Sequence, residues 1–262
     1  MDITSIIIAA VVVGVVGILA GVLLGIASET FKVEVDEKEI KIRELLPGNN
    51  CGGCGYPGCD GLAAAISKGE AKANGCPVGG EAVAKAIAEI VGGDTESVRM
   101  VAHVHCVGDC NKAKDVYEYV GPKDCKLAAN APGGGPKGCS FGCLGYGSCK
   151  KACQFGAISI VDGIAVIDKD KCKSCGMCVL ECPRHIISMI PEDAGATVEC
   201  NSKDFGKEVK AVCQSGCIGC GICQKNCPAE AITVEGNLAK VDYNKCTGCG
   251  TCKSKCPVKV IS

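Results

Sequence analysis

The sequence predicts an α+β protein with a single N-terminal transmembrane helix, a small four-cysteine domain and two tandem cysteine-rich modules. Three observations predict this organisation. Residues 6–26 are uncharged, 25 of the 262 residues are cysteine, and the spacing Cys-x2-Cys-x2-Cys-x3-Cys-Pro occurs three times in the C-terminal half. The predicted segments are an anchor (1–28), a linker or stalk (29–48), a four-cysteine domain (49–95), a connecting cysteine-containing segment (96–138), a first module (139–190), a connector (191–213) and a second module (214–262).

The predicted anchor comes first. Residues 6–26 contain only Ile, Val, Leu, Ala and Gly, and as a helix rising about 1.5 Å per residue they would span a bilayer core of about 30 Å. Basic residues begin at Lys32, whereas only Asp2 precedes the run. The positive-inside rule therefore predicts a single-pass inner-membrane protein whose soluble part is cytoplasmic. A cleaved signal peptide is the alternative, but residues 1–4 carry no Lys or Arg.

A stalk and a four-cysteine domain are predicted next. Residues 31–46 alternate charged and apolar side chains, which predicts a short exposed strand pair or stalk ending at Pro47. The spacing Cys51-x2-Cys54-x4-Cys59-x16-Cys76-Pro77 follows, with glycines between the cysteines and helical patterns at 62–67 and 81–91. Thiolates spaced in this way suit a metal centre, and we expect a 4Fe–4S cluster, with zinc as the alternative.

The repeated runs point to the same cofactor. In each run the fourth cysteine precedes a proline, and this arrangement wraps a cubane iron–sulfur cluster in bacterial ferredoxins. Cysteines two or three residues apart rarely meet disulfide geometry, and zinc needs no third and fourth cysteine at these spacings. A reducing compartment is expected. The runs are Cys172, Cys175, Cys178 and Cys182; Cys217, Cys220, Cys223 and Cys227; and Cys246, Cys249, Cys252 and Cys256.

Beyond residue 139 the chain is internally duplicated with an offset of 74 residues. Seven cysteines, from Cys143 to Cys182, each have a counterpart 74 positions later, from Cys217 to Cys256. The connecting segments also match, and residues 158–160 and 164–167 predict a β-hairpin between the two runs of the first module. Two tandem ferredoxin-like modules are therefore predicted.

Crossed ligation assigns the clusters, because the fourth cysteine of each run ligates the other cluster of a pair. In the first module the counterpart of Cys220 is Tyr146, and we expect Cys139 to replace the missing ligand; a degraded or lost cluster is the alternative. The predicted sets are Cys51, Cys54, Cys59 and Cys76 (cluster 1); Cys139, Cys143, Cys149 and Cys182 (cluster 2); Cys172, Cys175, Cys178 and Cys153 (cluster 3); Cys217, Cys220, Cys223 and Cys256 (cluster 4); and Cys246, Cys249, Cys252 and Cys227 (cluster 5).

Five cysteines remain outside these sets. Cys106, Cys125, Cys200 and Cys213 could hold a sixth cluster, with Cys110 as an alternative ligand. Buried free thiols are the other interpretation of these residues. His105 could also ligate, although a lone histidine more often forms hydrogen bonds. The sequence thus predicts five or six 4Fe–4S clusters.

Several functions are disfavoured by composition and missing motifs. The net charge of −1 does not favour nucleic acid as a partner. No glycine-rich dinucleotide or phosphate loop is recognisable, and no histidine belongs to an acid–base constellation, so no catalytic residue and no nucleotide or flavin site is predicted. Aromatic residues are 3% of the chain, which leaves little for a conventional core and makes the clusters part of the folding energy.

With these motifs in place, the chain resembles the B subunits of Rnf complexes, which are membrane ferredoxin:NAD oxidoreductases. The resemblance covers the whole length, including the glycine-rich helix, the four-cysteine domain, residues 117–121 with Asp124 and Cys125, residues 135–145 and the ferredoxin motifs. Two tandem modules are similar to the longer subunits found in anaerobes.

The resemblance implies an enzyme subunit rather than a complete enzyme. Soluble reduced ferredoxin would dock here, electrons would pass through the clusters, and other membrane and flavin- or NAD-binding subunits would complete a translocase for Na⁺ or H⁺. Two alternatives stay open: an electron-transfer subunit of another membrane dehydrogenase, and a tethered redox sensor.

Overall fold

The computed structural model describes residues 3–30, 36–93, 95 and 98–262. These residues form one helix of 28 residues, a set of short helices and three separate two-stranded antiparallel sheets. In chain order the elements are α1 (Ile3–Thr30), α2 (Glu37–Leu45), α3 (Cys59–Ser67), α4 (Gly80–Val91), β1 (Met100–Val104), α5 (Cys125–Ala129), a 3-10 turn (Pro132–Gly134), α6 (Ser148–Ala152), β2 (Ile158–Val161), β3 (Ile164–Ile167), α7 (Met177–Glu181), β4 (Ile187–Pro191), α8 (Gly206–Val212), α9 (Ile222–Lys225), β5 (Ile232–Glu235), β6 (Leu238–Val241) and α10 (Thr251–Lys255).

The N-terminal helix corrects one part of the predicted fold class. In the part of the chain that the structure describes, no helix is both long enough and apolar enough to cross a membrane. This finding overturns the transmembrane helix predicted at residues 6–26, and the predicted single-pass anchoring is not confirmed.

The predicted strand pair is also different in the structure, because residues 37–45 form helix α2. Asp36 begins the helix by accepting a hydrogen bond from the backbone N–H of Lys38 at 3.0 Å, as N-cap residues do. Ile42 is the buried side chain of α2 and packs with α3 and α4. The alternating pattern was therefore a helix with one buried position rather than a strand. The rest of the predicted strand pair, residues 31–35, lies outside the described residues.

The backbone shows the same 74-residue duplication as the sequence. Hairpin β2–β3 and hairpin β5–β6 have the same length and the same register at an offset of 74. Helix α7 and helix α10 are also 74 residues apart. Each module therefore consists of two short helices and one hairpin, and each has its own apolar cluster that includes several of its cysteines.

The third sheet joins the segment before the first module to the segment at its end. Strand β1 precedes the module and strand β4 follows α7, and the two pair antiparallel with Val101 opposite Ile190. Both side chains are fully buried in the core of the first module. The segment at 96–138 therefore contributes a strand, β1, and a helix, α5, to the folded body.

The C-terminal residues close the second module in a similar way. Thr197 and Ser262 exchange two backbone hydrogen bonds of 3.0 Å each, and Val198 forms an isolated bridge with Ile261. Val198 and Ile261 are both buried in the core of the second module. The segment before each module is thus tied to the segment that ends it.

Candidate functional site

Four cavities in the described part of the chain are each lined by four cysteines. Their volumes, measured to the mouth, lie between about 320 and 380 Å³. We number them by the predicted clusters that they most resemble. They are site 2 (Cys125, Cys143, Cys149 and Cys182), site 3 (Cys153, Cys172, Cys175 and Cys178), site 4 (Cys217, Cys220, Cys223 and Cys256) and site 6 (Cys106, Cys139, Cys200 and Cys213).

The thiols surround a space rather than meet at a point. Within the described residues, no three His, Cys, Asp or Glu side chains form a group that could hold a single metal ion. The sulfurs are instead spread around the wall of each cavity. Four soft sulfur donors around a polyatomic space fit an iron–sulfur cluster.

The electrostatics of the thiols also fit a cationic cofactor. Burial, together with the neighbouring Cys143, Cys125 and Cys182, raises the pKa of Cys149 to about 12. Burial and neighbouring thiols likewise raise the pKa of Cys178 to about 12. Thiols with such pKa values stay protonated at neutral pH unless positive charge compensates the thiolate, which bound iron would do.

Site 2 takes its fourth cysteine from an unexpected segment. Asp124 caps helix α5 and also accepts a hydrogen bond from the hydroxyl of Ser148 at 3.0 Å. The Ser148 oxygen accepts the backbone N–H of Cys125 at 2.8 Å. Because Ser148 begins α6 and is 2% exposed, this pair of hydrogen bonds holds α5 against α6. Cys125 is thereby placed beside Cys149.

The sequence-based ligand set of cluster 2 therefore differs from the structure. Cys139 was expected beside Cys143, Cys149 and Cys182, but it lines site 6 instead. Cys125 was expected in the sixth set and lines site 2. The two cysteines exchange places. One local signal in the sequence points to the role of Cys125. Asp124 is a typical N-cap residue, so a helix beginning at Cys125 could hold that thiol in a fixed position.

Tyr146 occupies the position that corresponds to Cys220 of the second module. Its ring lies 5.4 Å from the ring of Tyr119, centroid to centroid. Gly145 and Gly147 on either side have left-handed backbone angles, as do Gly219 and Gly221 around Cys220. The local loop is therefore retained, and only the ligand at its centre is replaced.

Site 3 brings together the four cysteines that the crossed pattern predicts. The run from Cys172 to Cys178 supplies three of them and Cys153, at the end of α6, supplies the fourth. The backbone N–H of Ala102 on β1 donates to the Cys172 sulfur at 3.5 Å. Amide hydrogen bonds to ligand sulfur are one means by which a protein tunes cluster potentials.

The four-cysteine domain, site 1, lies directly against site 3. Burial raises the pKa of Cys76, and Cys59 and Cys54 raise it further, so these three thiols are neighbours. The side chain of Asn50 accepts the backbone N–H of Cys59 at 2.8 Å and fixes the start of α3. Cys51 lies close enough to Cys175 of site 3 for their charges to interact.

Gly53 marks the contact between these two sites. A Cβ atom at Gly53 would collide with the backbone carbonyl of Cys175. The residue has to be glycine for the loop of site 1 to approach site 3 this closely. The two sites therefore share a backbone contact.

The second module carries site 4 and the fifth set of cysteines. Cys220 lies in site 4 and is exposed. In the fifth set, Cys252 is buried beside Cys246 and Cys249, whose charges raise its pKa in addition to burial. Cys227 accepts the backbone N–H of Ala231 at 3.3 Å and packs in the same core as Cys246. We call this set site 5.

Two residues left open by the sequence have defined surroundings. Cys110 is exposed and its backbone N–H donates to the carbonyl of Asp162. His105 bonds through both ring nitrogens, to the carbonyl of Val198 and to the hydroxyl of Ser188, each at 2.7 Å. With both nitrogens engaged, His105 supports the packing of β1 rather than a metal.

Three known iron–sulfur families match separate parts of the chain, corresponding to the four-cysteine domain and the two modules. The iron–sulfur cluster family FeS matches residues 46–78, the 4Fe-4S binding domain matches residues 165–188, and the 4Fe-4S dicluster domain matches residues 216–261. The first match covers site 1, and the dicluster match covers every cysteine of the second module.

Three relatives match along most of their length. The B subunit of the Na(+)-translocating ferredoxin:NAD(+) oxidoreductase complex of Acetobacterium woodii is 47% identical over 89% of this chain and 71% of its own. The B subunit of the ion-translocating oxidoreductase complex of Methanosarcina acetivorans is 44% identical over 87% of both chains. The B subunit of the proton-translocating ferredoxin:NAD(+) oxidoreductase complex of Clostridium ljungdahlii is 42% identical over 88% of this chain and 82% of its own.

Proposed function

Because the chain belongs to the family of B subunits of ion-translocating oxidoreductase complexes, we propose that it relays electrons from reduced ferredoxin to other subunits. The observation that carries the proposal is the set of four-cysteine cavities of nearly equal volume. Each bound cluster would supply one-electron chemistry. The protein supplies thiolates, amide hydrogen bonds and fixed spacing.

We assign five clusters, supported by the proximity of the thiols and, for Cys51 and Cys227, by the spacing of the cysteine runs. The proposed ligand sets are those of sites 2, 3 and 4, together with Cys51, Cys54, Cys59 and Cys76 for site 1 and Cys227, Cys246, Cys249 and Cys252 for site 5. The two crossed cysteines of the second module, Cys227 and Cys256, tie its two clusters together as in a bacterial ferredoxin.

Electron entry at the second module is supported by exposure and charge. Cys220 and Cys249 are the exposed cysteines of sites 4 and 5. Residues 214–262 contain six lysines and three acidic residues, a net charge of +3. Lys225, Lys253 and Lys255 are exposed on α9 and α10. A positive surface around exposed clusters would steer an acidic electron carrier towards them.

The remaining chemistry is assigned to partner subunits. The names of the relatives describe complexes that oxidise ferredoxin, reduce NAD and translocate Na⁺ or protons. We assign to this chain the iron–sulfur part of such a membrane-associated complex. Flavin, NAD and the ion path belong to its partners in this proposal.

Anaerobic reduction of the full chain tests the proposal. Reduced ferredoxin should bleach the visible absorbance of the cluster-loaded chain, whereas NADH alone should leave it unchanged. Bleaching by NADH alone would indicate a nucleotide site on this chain and would contradict the proposal.

A charge-reversed variant tests the entry point. Replacing Lys253 and Lys255 by Glu should slow reduction by ferredoxin about tenfold at low salt, because steering by charge changes association rates by about 10 to 10³. The control is Lys68→Glu, which changes an exposed residue of the four-cysteine domain. Equal rates for both variants would place the entry point elsewhere.

A further inference from the structure

Site 6 lies at the junction of the two modules and takes its cysteines from four different segments. Cys106 follows β1, Cys139 begins the first module, Cys200 lies between β4 and α8, and Cys213 directly follows α8. These four line a cavity of about 380 Å³, similar in volume to the cavities inside the modules. Gly108 packs between two of the sulfurs: a Cβ there would lie 3.3 Å from the Cys213 sulfur and 3.8 Å from that of Cys106.

Backbone amides point at the sulfurs of site 6, as they do at the other sites. Ser202 donates its N–H to the Cys200 sulfur at 3.4 Å, and Phe141 donates its N–H to Cys139. Such amide donors stabilise the thiolate form and are typical of cluster ligands. Free thiols that only fill an apolar core need no such arrangement.

A buried cation also faces the cavity. Lys137 lines site 6, is 8% exposed, and is held by a hydrogen bond of 2.6 Å from its ammonium group to the carbonyl of Gly108. The guanidinium of Arg184 is near enough to interact with both Cys139 and Cys182. Glu199 also lines the cavity, but no ion pair joins it to Lys137 among the described residues. A cubane ligated by four thiolates is negative and would bring further negative charge beside the two cations.

The position of site 6 between the modules is the decisive feature. The backbone N–H of Cys143, which lines site 2, donates to the Cys106 sulfur at 3.4 Å. On the other side, the backbone N–H of Cys217, which lines site 4, donates to the Cys200 sulfur. Cys143 and Cys217 are counterparts in the 74-residue repeat. In each module, therefore, the backbone amide of the corresponding cysteine donates a hydrogen bond to a sulfur of site 6.

We propose that Cys106, Cys139, Cys200 and Cys213 hold a sixth 4Fe–4S cluster that connects the two modules and carries every electron that passes between them. This inference rests on the proposed electron-transfer function. Electrons would move singly from sites 5 and 4 to site 6, then to sites 2 and 3, and then to site 1 across the contact at Gly53. In each step one cluster is oxidised and the next is reduced, and no bond is made or broken.

The first test counts iron in the full chain after anaerobic cluster reconstitution. Six cubanes correspond to about 24 iron and equal sulfide. Cys139→Ala and Cys213→Ala should each retain about 20. The double variant should also retain about 20, because both cysteines serve one cluster. Cys125→Ala combined with Cys139→Ala should retain about 16, because these serve two clusters. The matched control is Cys110→Ala, an exposed cysteine, which should keep the wild-type content.

The iron count also defines the results that overturn the site. A wild-type content of about 20 would overturn it without reference to any variant. Loss of about eight iron in the Cys139→Ala and Cys213→Ala double variant would separate these residues into different clusters and would also overturn it. Retention of about 20 iron in the variants shows at the same time that the other five sites have folded.

The second test concerns the relay, and it separates this inference from the proposed function. In Cys213→Ala, reduced ferredoxin should bleach only the two second-module clusters in the fast phase, with the others at least tenfold slower. Bleaching of all remaining clusters at the wild-type rate would show that electrons bypass site 6. Failure of ferredoxin to bleach even the fully loaded wild-type chain would instead contradict the proposed function.

Discussion

The two modules have the same repeat but different surroundings. Three cysteines of the second module are more exposed than their counterparts in the first, and the others are similarly buried: for example, Cys175 is half-buried where Cys249 is exposed, and Cys182 is buried where Cys256 is half-buried. The first module is covered by β1, β4 and α5, whereas the second keeps cysteines at the surface. A duplicated unit is thus largely enclosed in one copy and more accessible to solvent in the other.

The backbones of the two copies remain nearly identical in their special positions. Gly145 in the first module and Gly219 in the second both have left-handed φ angles, +76° and +65°. Each lies against the tip of its own hairpin, at Gly163 and Asn237 respectively. The difference between the modules is therefore in what surrounds them and in one ligand, not in the loop that holds the cluster.

The largest difference between the modules is expected from replacing Cys125, the cysteine that lines site 2 in place of Cys139. Cys125→Ala should remove one whole cluster, about four iron, from the first module. Adding Tyr146→Cys to that variant should restore it, because residue 146 has the loop geometry of residue 220. The readout is iron content with spin-resonance spectra of the reduced protein.

A control in the second module completes this experiment. Cys220→Ala should also cost one cluster, and adding Tyr146→Cys there should restore nothing, because that residue lies in the other module. An unchanged iron content in Cys125→Ala would show that α5 supplies no ligand and that Cys139 returns to site 2.

The glycine pair sharpens the comparison at the level of stability. Gly145→Ala should destabilise the loaded protein by about 3 kcal/mol, because it combines a left-handed angle with a clash against the Gly163 backbone. Gly219→Ala should cost less, since its nearest contact, the Asn237 carbonyl, is 2.9 Å away. Gly250→Ala, with φ of +71° and open space around it, should cost about 1 kcal/mol.

The midpoint of thermal bleaching, measured at one heating rate, orders these three variants. An equal midpoint for Gly145→Ala and Gly250→Ala would mean that the hairpin tip yields to the added methyl group.

Replacing Asp124 should have the smallest effect, on the rate at which the first module loses a cluster, and this effect should depend on pH. The N–H of Leu127 lowers the pKa of Asp124, and the hydroxyl of Ser148 lowers it further. A carboxylate with a lowered folded pKa contributes stability above its unfolded pKa of about 3.9, and this is lost as pH falls through the folded value. At pH 7, Asp124→Ala should therefore lose the site 2 cluster to an iron chelator a few times faster than wild type.

The same measurement at acid pH provides the check. As pH falls below about 4 and through the lowered folded pKa of Asp124, the wild-type advantage should shrink and then disappear, because protonated Asp124 no longer caps α5. A difference between wild type and variant that is constant with pH would mean that the side chain acts only through its shape.

Local spacing predicted much of this molecule because the ligands of ferredoxin clusters lie within a few residues of one another. The sets around Cys172–Cys178 and Cys217–Cys223, the hairpins and the 74-residue repeat all depend on contacts of this kind. These features follow from short-range geometry.

The exchange of Cys125 and Cys139 could not be predicted in the same way. The gap at Tyr146 requires a distant cysteine, and the choice depends on the contact between Asp124 and Ser148, 24 residues apart. The pairing of β1 with β4 depends on a still longer contact. The transmembrane prediction was wrong, and the alternating pattern of residues 36–46 concealed a capped helix. In both cases composition alone did not determine the element.

Sheet β1–β4 has a thermodynamic consequence. Pairing Val104 with Ile187 closes a loop of 83 residues around the first module, and the entropy of closing such a loop in a flexible chain opposes folding by about 4 kcal/mol. Two short strands offset little of this by themselves, whereas clusters bound inside the loop shorten the flexible chain that remains to be ordered. Cluster insertion into the first module and pairing of β1 with β4 are therefore coupled: each lowers the free-energy cost of the other.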